Sequence, residues 1–411
     1  MSKLVVHVGE SIEGGGAQSV LRSTIQILKN NKSIYSHKLI CKSSLNYKEL
    51  QDGHFPLKGN DSLLSNLFSY SNYKALKTYL KQTKPDIIHL HHYSNLSPLI
   101  FWAIYKYKKK NKVCVIHSVH TFEYICSNHA GFDYKKNIKC LDCSKSTFKF
   151  RIFTRLCSSK GSVHSYGKGV SSLMTSFFRS FKIIDYWTAP SIFLRKKMLN
   201  QKYIDENRIF VLNNPVLNLK KENELQIKKS TVYFKFVYFG RFSEEKNIKC
   251  IIKAFHKISL VNDKLRLVLI GKGDSETELR DLVKELKIEK YVEFIGFLPK
   301  ENLDKELKKC HVSVLSSKCY ETASMVVVES IQLNLVPIVC NHGGMKEMVG
   351  CCNVGLKFTD NDDNELSSKM LQVYDNYEYH LEEVKQSNKN NLQQFSEMTY
   401  LENLMNLYSK V

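Results

Sequence analysis

The feature that most constrains this chain is an alternation, begun twice, of short apolar runs with longer segments of helical period. Leu4–Val8 is an apolar run that closes on a glycine-rich loop, Gly9–Gly16, after which Val20, Leu21, Ile25 and Leu28 recur at helical spacing. Asp86–Leu90 and Val113–Val119 continue the pattern. A polar stretch, Lys220–Ser230, then reads as a linker, and a second series begins. Its strands are expected at Val232–Phe239, Leu265–Ile270, Val292–Ile295, Val312–Leu315 and Pro337–Cys340, with helices at Asn247–Ile258 and Glu276–Leu286 between them. Strands that alternate with helices make doubly wound parallel sheets, which bind ligands at the carboxyl ends of their strands. No repeat of 20–50 residues argues for a solenoid. The expected fold is therefore α/β, with two Rossmann-like doubly wound domains at 1–210 and 211–395. Residues 396–411 are expected to form a helix that packs back toward the first domain.

Charge divides the chain at the same place. The formal net charge is +21; residues 1–200 hold 31 Lys and Arg against 10 Asp and Glu, while residues 201–411 hold 30 of each. The whole excess sits in the first half, so the two domains are expected to face different surroundings. A polyanion, either nucleic acid or an anionic membrane, is the natural partner to test. No run of eighteen apolar residues is present to span a bilayer, and MSKLVVHVGE reads as a buried strand rather than an export signal. Twelve cysteines then point to a reducing cytoplasm, where paired thiols imply metal or chemistry before disulfides.

Three clusters in the second half fall where strands end. In Gly240-Arg241-Phe242-Ser243-Glu244-Glu245-Lys246-Asn247, two cations flank a helix start, which suits a diphosphate; a solvated turn would look alike. Gly271-Lys272-Gly273-Asp274 allows close approach of a ligand, or is an ordinary turn. In Glu321-Thr322-Ala323-Ser324-Met325-Val326-Val327-Val328-Glu329, Ser324 would cap a helix and leave first-turn N–H groups for an anion. Glu329, among apolar neighbours, needs a partner: a ribose diol or a nearby lysine. Asn341-His342-Gly343-Gly344 adds another close-approach pair, followed by Glu347.

With these residues in order, the sequence resembles the retaining glycosyltransferases of the GT-B fold, specifically family 4, over nearly its whole length. The matching elements are Gly14-Gly15-Gly16-Ala17, His120 at the end of VCVIHSVHTF, Arg241 with Lys246, the Glu321/Glu329 pair, Gly343-Gly344 and Glu347. The resemblance implies two domains facing a cleft and a nucleoside-diphosphate sugar as donor. By that resemblance Gly15 and Gly16 approach the donor phosphates or the acceptor, and Arg241 and Lys246 hold the diphosphate as it leaves. Glu321 then lies against the donor sugar, Glu329 holds the ribose, His120 lies near the sugar, and Gly271 and the backbone of Ser324, Met325 and Val326 belong to the donor site. Thr322-Ala323-Ser324 departs from the glycine-containing stretch of many members and bears on sugar specificity. No cofactor is required in this scheme, because Arg241 and Lys246 supply the positive charge that a leaving diphosphate needs.

Two features lie outside that scheme. Cys126, Cys140, Cys143 and Cys157 are spaced C-x13-C-x2-C-x13-C, within an insert at about 121–165. They are either four ligands for a structural zinc or free buried thiols. Lys145–Leu156 (KSTFKFRIFTRL) interleaves Lys149, Arg151 and Arg155 with Phe148, Phe150, Ile152 and Phe153, and Tyr105–Lys112 adds more lysines. Such text fits an anionic membrane surface, a single-stranded nucleic acid, or a packed helix with a solvated basic face. The nucleic-acid reading leaves the second-half constellation without a role, so no nucleic-acid partner is expected. The expected activity is hexosyl transfer from a nucleotide sugar to a lipid-linked glycan of bacterial surface polysaccharide (O-antigen, capsule or exopolysaccharide). It would occur in the cytoplasm, peripherally on the anionic inner face of the inner membrane. The alternative acceptors are a small soluble molecule or diacylglycerol.

Overall fold

The structure, a computed structural model, describes residues 2–31, 34–42, 44, 46–55, 66–145, 149–178, 180–217 and 232–411. The expected linker Lys220–Ser230 lies outside the described residues, as does Phe148. The chain divides into two compact units, Met1–Leu217 with Glu397–Val411, and Asn218–Ser396.

The first unit contains strands β1 (Leu4–Val8), β2 (Ser36–Lys42), β3 (Gly53–Phe55), β4 (Ile87–Leu90), β5 (Cys114–Ser118), β8 (Tyr186–Ala189) and β9 (Ile209–Val211). They form a seven-stranded sheet in the order β3-β2-β1-β4-β5-β8-β9, parallel throughout. Helices α1 (Ala17–Asn30), α2 (Tyr70–Thr83) and α3 (Leu99–Lys108) connect the early strands. Between β5 and β8 the chain inserts a two-stranded hairpin, β6 (Phe132–Asp133) with β7 (Ile138–Lys139), and helices α4 (Arg151–Arg155), α5 (Gly161–Phe177) and α6 (Ser180–Ile183). Helix α7 (Ile192–Leu199) follows β8. Central strands buried on both faces are mostly apolar, and IIHL of β4 is wholly buried, His89 included.

The C-terminal helix Glu397–Tyr408 belongs to this unit. Its Tyr400, Leu404, Leu407 and Tyr408 share one core cluster with Val5, Ile27, Leu28, Ile87 and Ile116. Two polar contacts fix its register, Tyr400 Oη with Thr24 Oγ1 at 2.7 Å and Tyr408 Oη with His89 Nδ1 at 2.7 Å.

The second unit is a six-stranded parallel sheet in the order β12-β11-β10-β13-β14-β15. Its strands are β10 (Phe234–Phe239), β11 (Leu265–Ile270), β12 (Val292–Gly296), β13 (Val312–Leu315), β14 (Val336–Cys340) and β15 (Leu356–Phe358). The helices are α8 (Ile248–Ser259), α9 (Glu276–Glu285), α10 (Lys300–Leu307), α11 (Met325–Gln332), α12 (Gly343–Cys352), α13 (Asp363–Asp375) and α14 (Tyr377–Asn390). Helix α8 shows why the sequence pattern was readable: Ile248, Ile251, Ile252, Phe255 and Ile258 are buried at helical spacing on one stripe.

Both sheets have a topological switch point, where successive crossovers leave in opposite directions along the sheet. In the first unit it lies between β1 and β4, in the second between β10 and β13. Crevices open outside the carboxyl ends of such strands, which makes these the two places to look for ligand chemistry.

Candidate functional site

In the second unit, the loops after β10 and β13 bring together Lys246 and Glu321, which are 75 residues apart in sequence. Lys246 Nζ donates to Glu321 Oε1 at 2.5 Å, and Ser317 Oγ donates to the same oxygen at 3.0 Å. Both side chains remain about a quarter exposed. Burial opposes charge on each, but the partner wins. It holds the Glu321 carboxyl below its ordinary range, with the Ser317 hydrogen bond and His342 assisting, and holds the Lys246 ammonium well above its own. An ionised Glu321 accepts hydrogen bonds from hydroxyls and cannot act as a general acid at neutral pH. Arg241, beside Lys246, contacts Glu245 Oε1 at 2.5 Å with two thirds of its side chain exposed. Each cation thus has a carboxylate, so the quartet is formally neutral.

Ser324 occupies the N-cap position of α11, but its hydroxyl makes no capping bond. Met325 opens that helix and Val326 packs on the core cluster around Val237 and Phe239. Glu329 lies in the second turn, where Lys300 Nζ approaches its Oε1 at 3.3 Å while also holding Asp304 at 3.1 Å. The lysine partner is therefore present in the structure itself. One Asp-x-Asp triplet occurs in this unit, Asp360-Asn361-Asp362, and Asp362 caps α13 by accepting from the Asn364 and Glu365 amides.

The glycines separate into two kinds. Gly271 has φ +147°, and a Cβ there would lie 1.9 Å from the Gly240 carbonyl oxygen; at Gly273 it would lie 2.1 Å from Phe242 O and at Gly344 2.8 Å from Glu321 O. Gly344 also donates its N–H to that Glu321 carbonyl at 2.7 Å. These glycines let loops of the protein approach each other, and Gly271 is a backbone fit before it is a ligand contact. Gly15 and Gly16, by contrast, have open space where a Cβ would stand. Gly271→Ala is expected to destabilise the second unit by about 1–3 kcal/mol, and Gly15→Ala to leave the thermal midpoint unchanged while impairing ligand binding. Thermal unfolding of both variants checks this; equal midpoints would sink the distinction.

In the first unit, the switch point carries residues the sequence reading did not single out. Glu10 follows β1, and its Oε2 lies 3.3 Å from His92 Nε2, while Asn95 Nδ2 donates to its Oε1 at 2.6 Å. Glu123, buried beyond β5, sits 3.3 Å from His117 Nε2 and 3.8 Å from His92 Nδ1, and accepts from Thr121 Oγ1 at 3.0 Å. Burial works to raise the Glu123 carboxyl, but the His117 contact and the imidazoles of His117 and His92 hold it low. His120 lies beside this cluster and stacks on His91 at 6.2 Å; burial depresses its imidazole to about 4 despite the pull of Glu123. Behind it His7, His89 and His91 are fully buried and held well below the usual histidine range, by burial first and by one another second. The available signal was histidine clustered at strand tips, with period 2 in IIHLHHY and again in VIHSVH three residues apart.

The basic segment is corrected in part. Lys149 is buried at 6% exposure and donates to the Glu123 carbonyl at 2.9 Å, and Ile152 is wholly buried. Phe153 packs where a side chain at Gly169 would collide. Ile152 is buried and Phe153 half-buried because a short amphipathic helix spends its apolar side on the core. Phe150, Val163, Tyr166 and Phe177 remain exposed on α5 and at the start of α4. No helix among the described residues is long and apolar enough to cross a membrane.

Two family models together account for nearly the whole chain: Glycosyltransferase Family 4 over residues 15–216 and Glycosyl transferases group 1 over residues 220–392. The chain belongs to the group 1 glycosyltransferases. Among curated proteins, the transferase is 25% identical over 384 residues to an uncharacterized 41.2 kDa protein in the cps region of Klebsiella pneumoniae, covering 92% of this chain and 90% of that one. It is 30% identical over 128 residues to the N-acetylgalactosamine-N,N'-diacetylbacillosaminyl-diphospho-undecaprenol 4-alpha-N-acetylgalactosaminyltransferase of Campylobacter jejuni, covering 31% of this chain and 33% of that one. The structure of Anabaena HepE in complex with UDP matches at a TM-score of 0.71 and 14% identity, over 100% of both chains. The lipopolysaccharide outer core galactosyltransferase WaaB in its apo form matches at 0.67 and 16%, over 99% and 100%. The transferase therefore has the GT-B fold, with two Rossmann-like units.

Proposed function

We propose that this transferase moves a hexose, with retention of configuration, from a nucleoside-diphosphate sugar to a lipid-linked glycan in bacterial surface polysaccharide synthesis. The observation that carries the reading is the Lys246–Glu321 pair at the β10/β13 switch point, with Arg241 beside it. Departure of a nucleoside diphosphate places new negative charge on phosphate oxygens, and Lys246 and Arg241 are donors positioned to receive it. Glu321, ionised and fixed by Lys246 and Ser317, accepts hydroxyls of the donor sugar and stabilises positive charge at its reacting carbon. Glu329 holds the ribose, exchanging its contact with Lys300 for the diol. The backbone at Ser324–Val326 and the loop after β11 at Gly271 complete the donor side. Gly15, Gly16 and His120 serve the first unit's side, and His120 is a neutral imidazole there at physiological pH.

The polysaccharide role is supported by the cps-region relative, and the lipid-linked acceptor by the Campylobacter relative, whose own name specifies a diphospho-undecaprenol substrate. The nucleotide donor is supported by the UDP held in the HepE structure. The first unit is proposed to rest on the inner face of an anionic cytoplasmic membrane through exposed Phe150, Val163, Tyr166 and Phe177 and the surface lysines near Lys106 and Lys109.

Incubation with a panel of nucleotide sugars and an undecaprenyl-diphosphate glycan should give one labelled lipid product, whose new bond keeps the donor's anomeric configuration. Inversion would remove the retaining assignment, and transfer only to soluble sugars would remove the lipid acceptor. In the same assay, flotation with phosphatidylglycerol vesicles should weaken as salt rises; equal binding to neutral vesicles would remove the electrostatic contribution.

A further inference from the structure

The four cysteines of the insert, Cys126, Cys140, Cys143 and Cys157, are free thiols that do not converge on a metal: among the described residues, close ligand atoms occur only at His7, His89 and His91. A stronger signal lies in the second unit, where the loop after β13 does more than supply Glu321. Strands β10 and β13 are parallel neighbours, and residues 316–318 capture three successive carbonyls of the loop after β10. The Lys318 N–H donates to the Glu245 carbonyl at 2.7 Å. The Ser316 hydroxyl donates to the carbonyls of Lys246 and Asn247, at 3.0 and 2.9 Å. Ser317, between them, donates instead to Glu321 Oε1. Ser316 is wholly buried, and Glu245 and Asn247 are nearly so.

The β10 loop needs those donors. Glu244–Lys246 is a single 3-10 turn, and Asn247 after it has φ +54°. A turn of three residues cannot satisfy its own last carbonyls, which must find donors elsewhere when buried. A non-glycine residue in the left-handed region persists where its surroundings hold it there. Asn247 also starts α8, its carbonyl accepting the Cys250 N–H at 2.9 Å. Ser316 thus grips the backbone where the turn becomes the helix, and the Lys246 side chain leaves from that point. Its four-carbon stem is flexible, whereas a donor to developing charge helps only if it is already in place. Glu321 holds the ammonium end. Once a phosphate competes with Glu321 for the ammonium, the backbone end carries the positioning.

We propose that Ser316 is a positioning residue of the transfer reaction: its hydroxyl, through the Lys246 and Asn247 carbonyls, fixes the backbone from which the Lys246 ammonium reaches the departing diphosphate. This rests on the reading that Lys246 receives that diphosphate. Ser316 acts through Lys246 and touches neither substrate. Its effect therefore falls on the leaving group as charge develops, so kcat drops while the donor KM holds. Affinity for UDP, which carries the full charge of a departed group, drops in step.

The test is steady-state transfer kinetics, with UDP affinity by calorimetry, on the full chain and its variants. Ser316→Ala should lower kcat about tenfold, less than the roughly 10²-fold cost of a full 1 Å misplacement, and leave the donor KM within about twofold. Ser316→Thr, which keeps the hydroxyl, should recover most of the rate. Ser316→Ala/Lys246→Ala should be no slower than Lys246→Ala alone, because the serine acts through the lysine. Ser387→Ala removes an equally buried hydroxyl, bound to the Cys352 carbonyl at 2.6 Å in the same unit, and should keep the wild-type kcat. Should Ser316→Ala fail to fold, Ser316→Cys, with the same shape and a weaker donor, is read in the same way. Wild-type kcat in folded Ser316→Ala, losses additive with Lys246→Ala, or an equal loss in Ser387→Ala would each overturn the proposal. If no sugar is transferred, the UDP affinities of the same variants decide, in the same order. Lys246→Ala with wild-type kcat and UDP affinity would remove the assignment of Lys246 and this role with it. A loss in Lys246→Ala without one in Ser316→Ala would remove the positioning role alone.

Discussion

Lys246→Ala is expected to lower kcat by about 10²- to 10³-fold, the usual loss when one fixed donor to a developing oxyanion is removed. The fold should survive, because the pair is partly exposed and joins two loops rather than filling the core. The loss has two sources that a pH profile separates. One is the missing donor to the leaving phosphate, which depresses rate at every pH. The other acts through Glu321, which the Lys246 ammonium keeps below its ordinary range. With the ammonium gone, burial of Glu321 is opposed only by Ser317 and His342, so its ionisation moves upward. The acid limb of the residual activity should therefore shift to higher pH in the variant. Glu321→Ala should cost a comparable factor, and the double variant little more than the worse single one, since the two side chains act as a unit. Additive losses would falsify the coupled assignment, as would an acid limb that stays in place in Lys246→Ala.

Much of this site was legible because it follows from pattern. Strand ends in a doubly wound sheet are ligand sites, and β10 and β13 begin and end close to where their apolar runs do. The pairing of Lys246 with Glu321 was not legible, since nothing in two loops 75 residues apart states that β10 and β13 are neighbours. That needs the crossover order of the second sheet, which strand text does not state. In the first sheet β2, β8 and β9 did not stand out at all, because their text is too mixed. In SHKLICK of β2 the first three residues are exposed or half-buried, as a strand near the sheet edge allows. Glycines were legible as close approaches but not as to what approaches. Gly271 and Gly344 meet protein backbone, whereas Gly15 and Gly16 face open space. Charge was the least reliable guide at the single-residue level. Lys149 counted toward a basic surface and is buried.

The first unit should unfold in mild acid, before the second. His37 and His120 are each depressed to about 4 by burial, and His7, His89 and His91 lie well below the ordinary value for the same reason. All five belong to the first unit. A folded-state value below the unfolded one means that the unfolded chain takes up protons first. Stability is therefore complete above about pH 6.5 and is lost as pH falls toward 4. At pH 5 the two rings near 4 alone remove roughly 2 kcal/mol each, a large fraction of an ordinary domain's 5–15 kcal/mol, and the three deeper rings add to it. The charged groups around them do not offset this. His7 faces His37, His89 and His91, so each protonation makes the next harder, while Glu123 is already engaged by His117 and His92. Both tryptophans, Trp102 and Trp187, lie in the first unit, so intrinsic tryptophan fluorescence reports on it alone. The fluorescence transition should have its midpoint between pH 4 and 6, and His37→Gln, which cannot take up the proton, should move that midpoint to lower pH. A transition below pH 3.5, or one indifferent to His37→Gln, would mean that the row of buried histidines carries no weight in the acid stability of the unit.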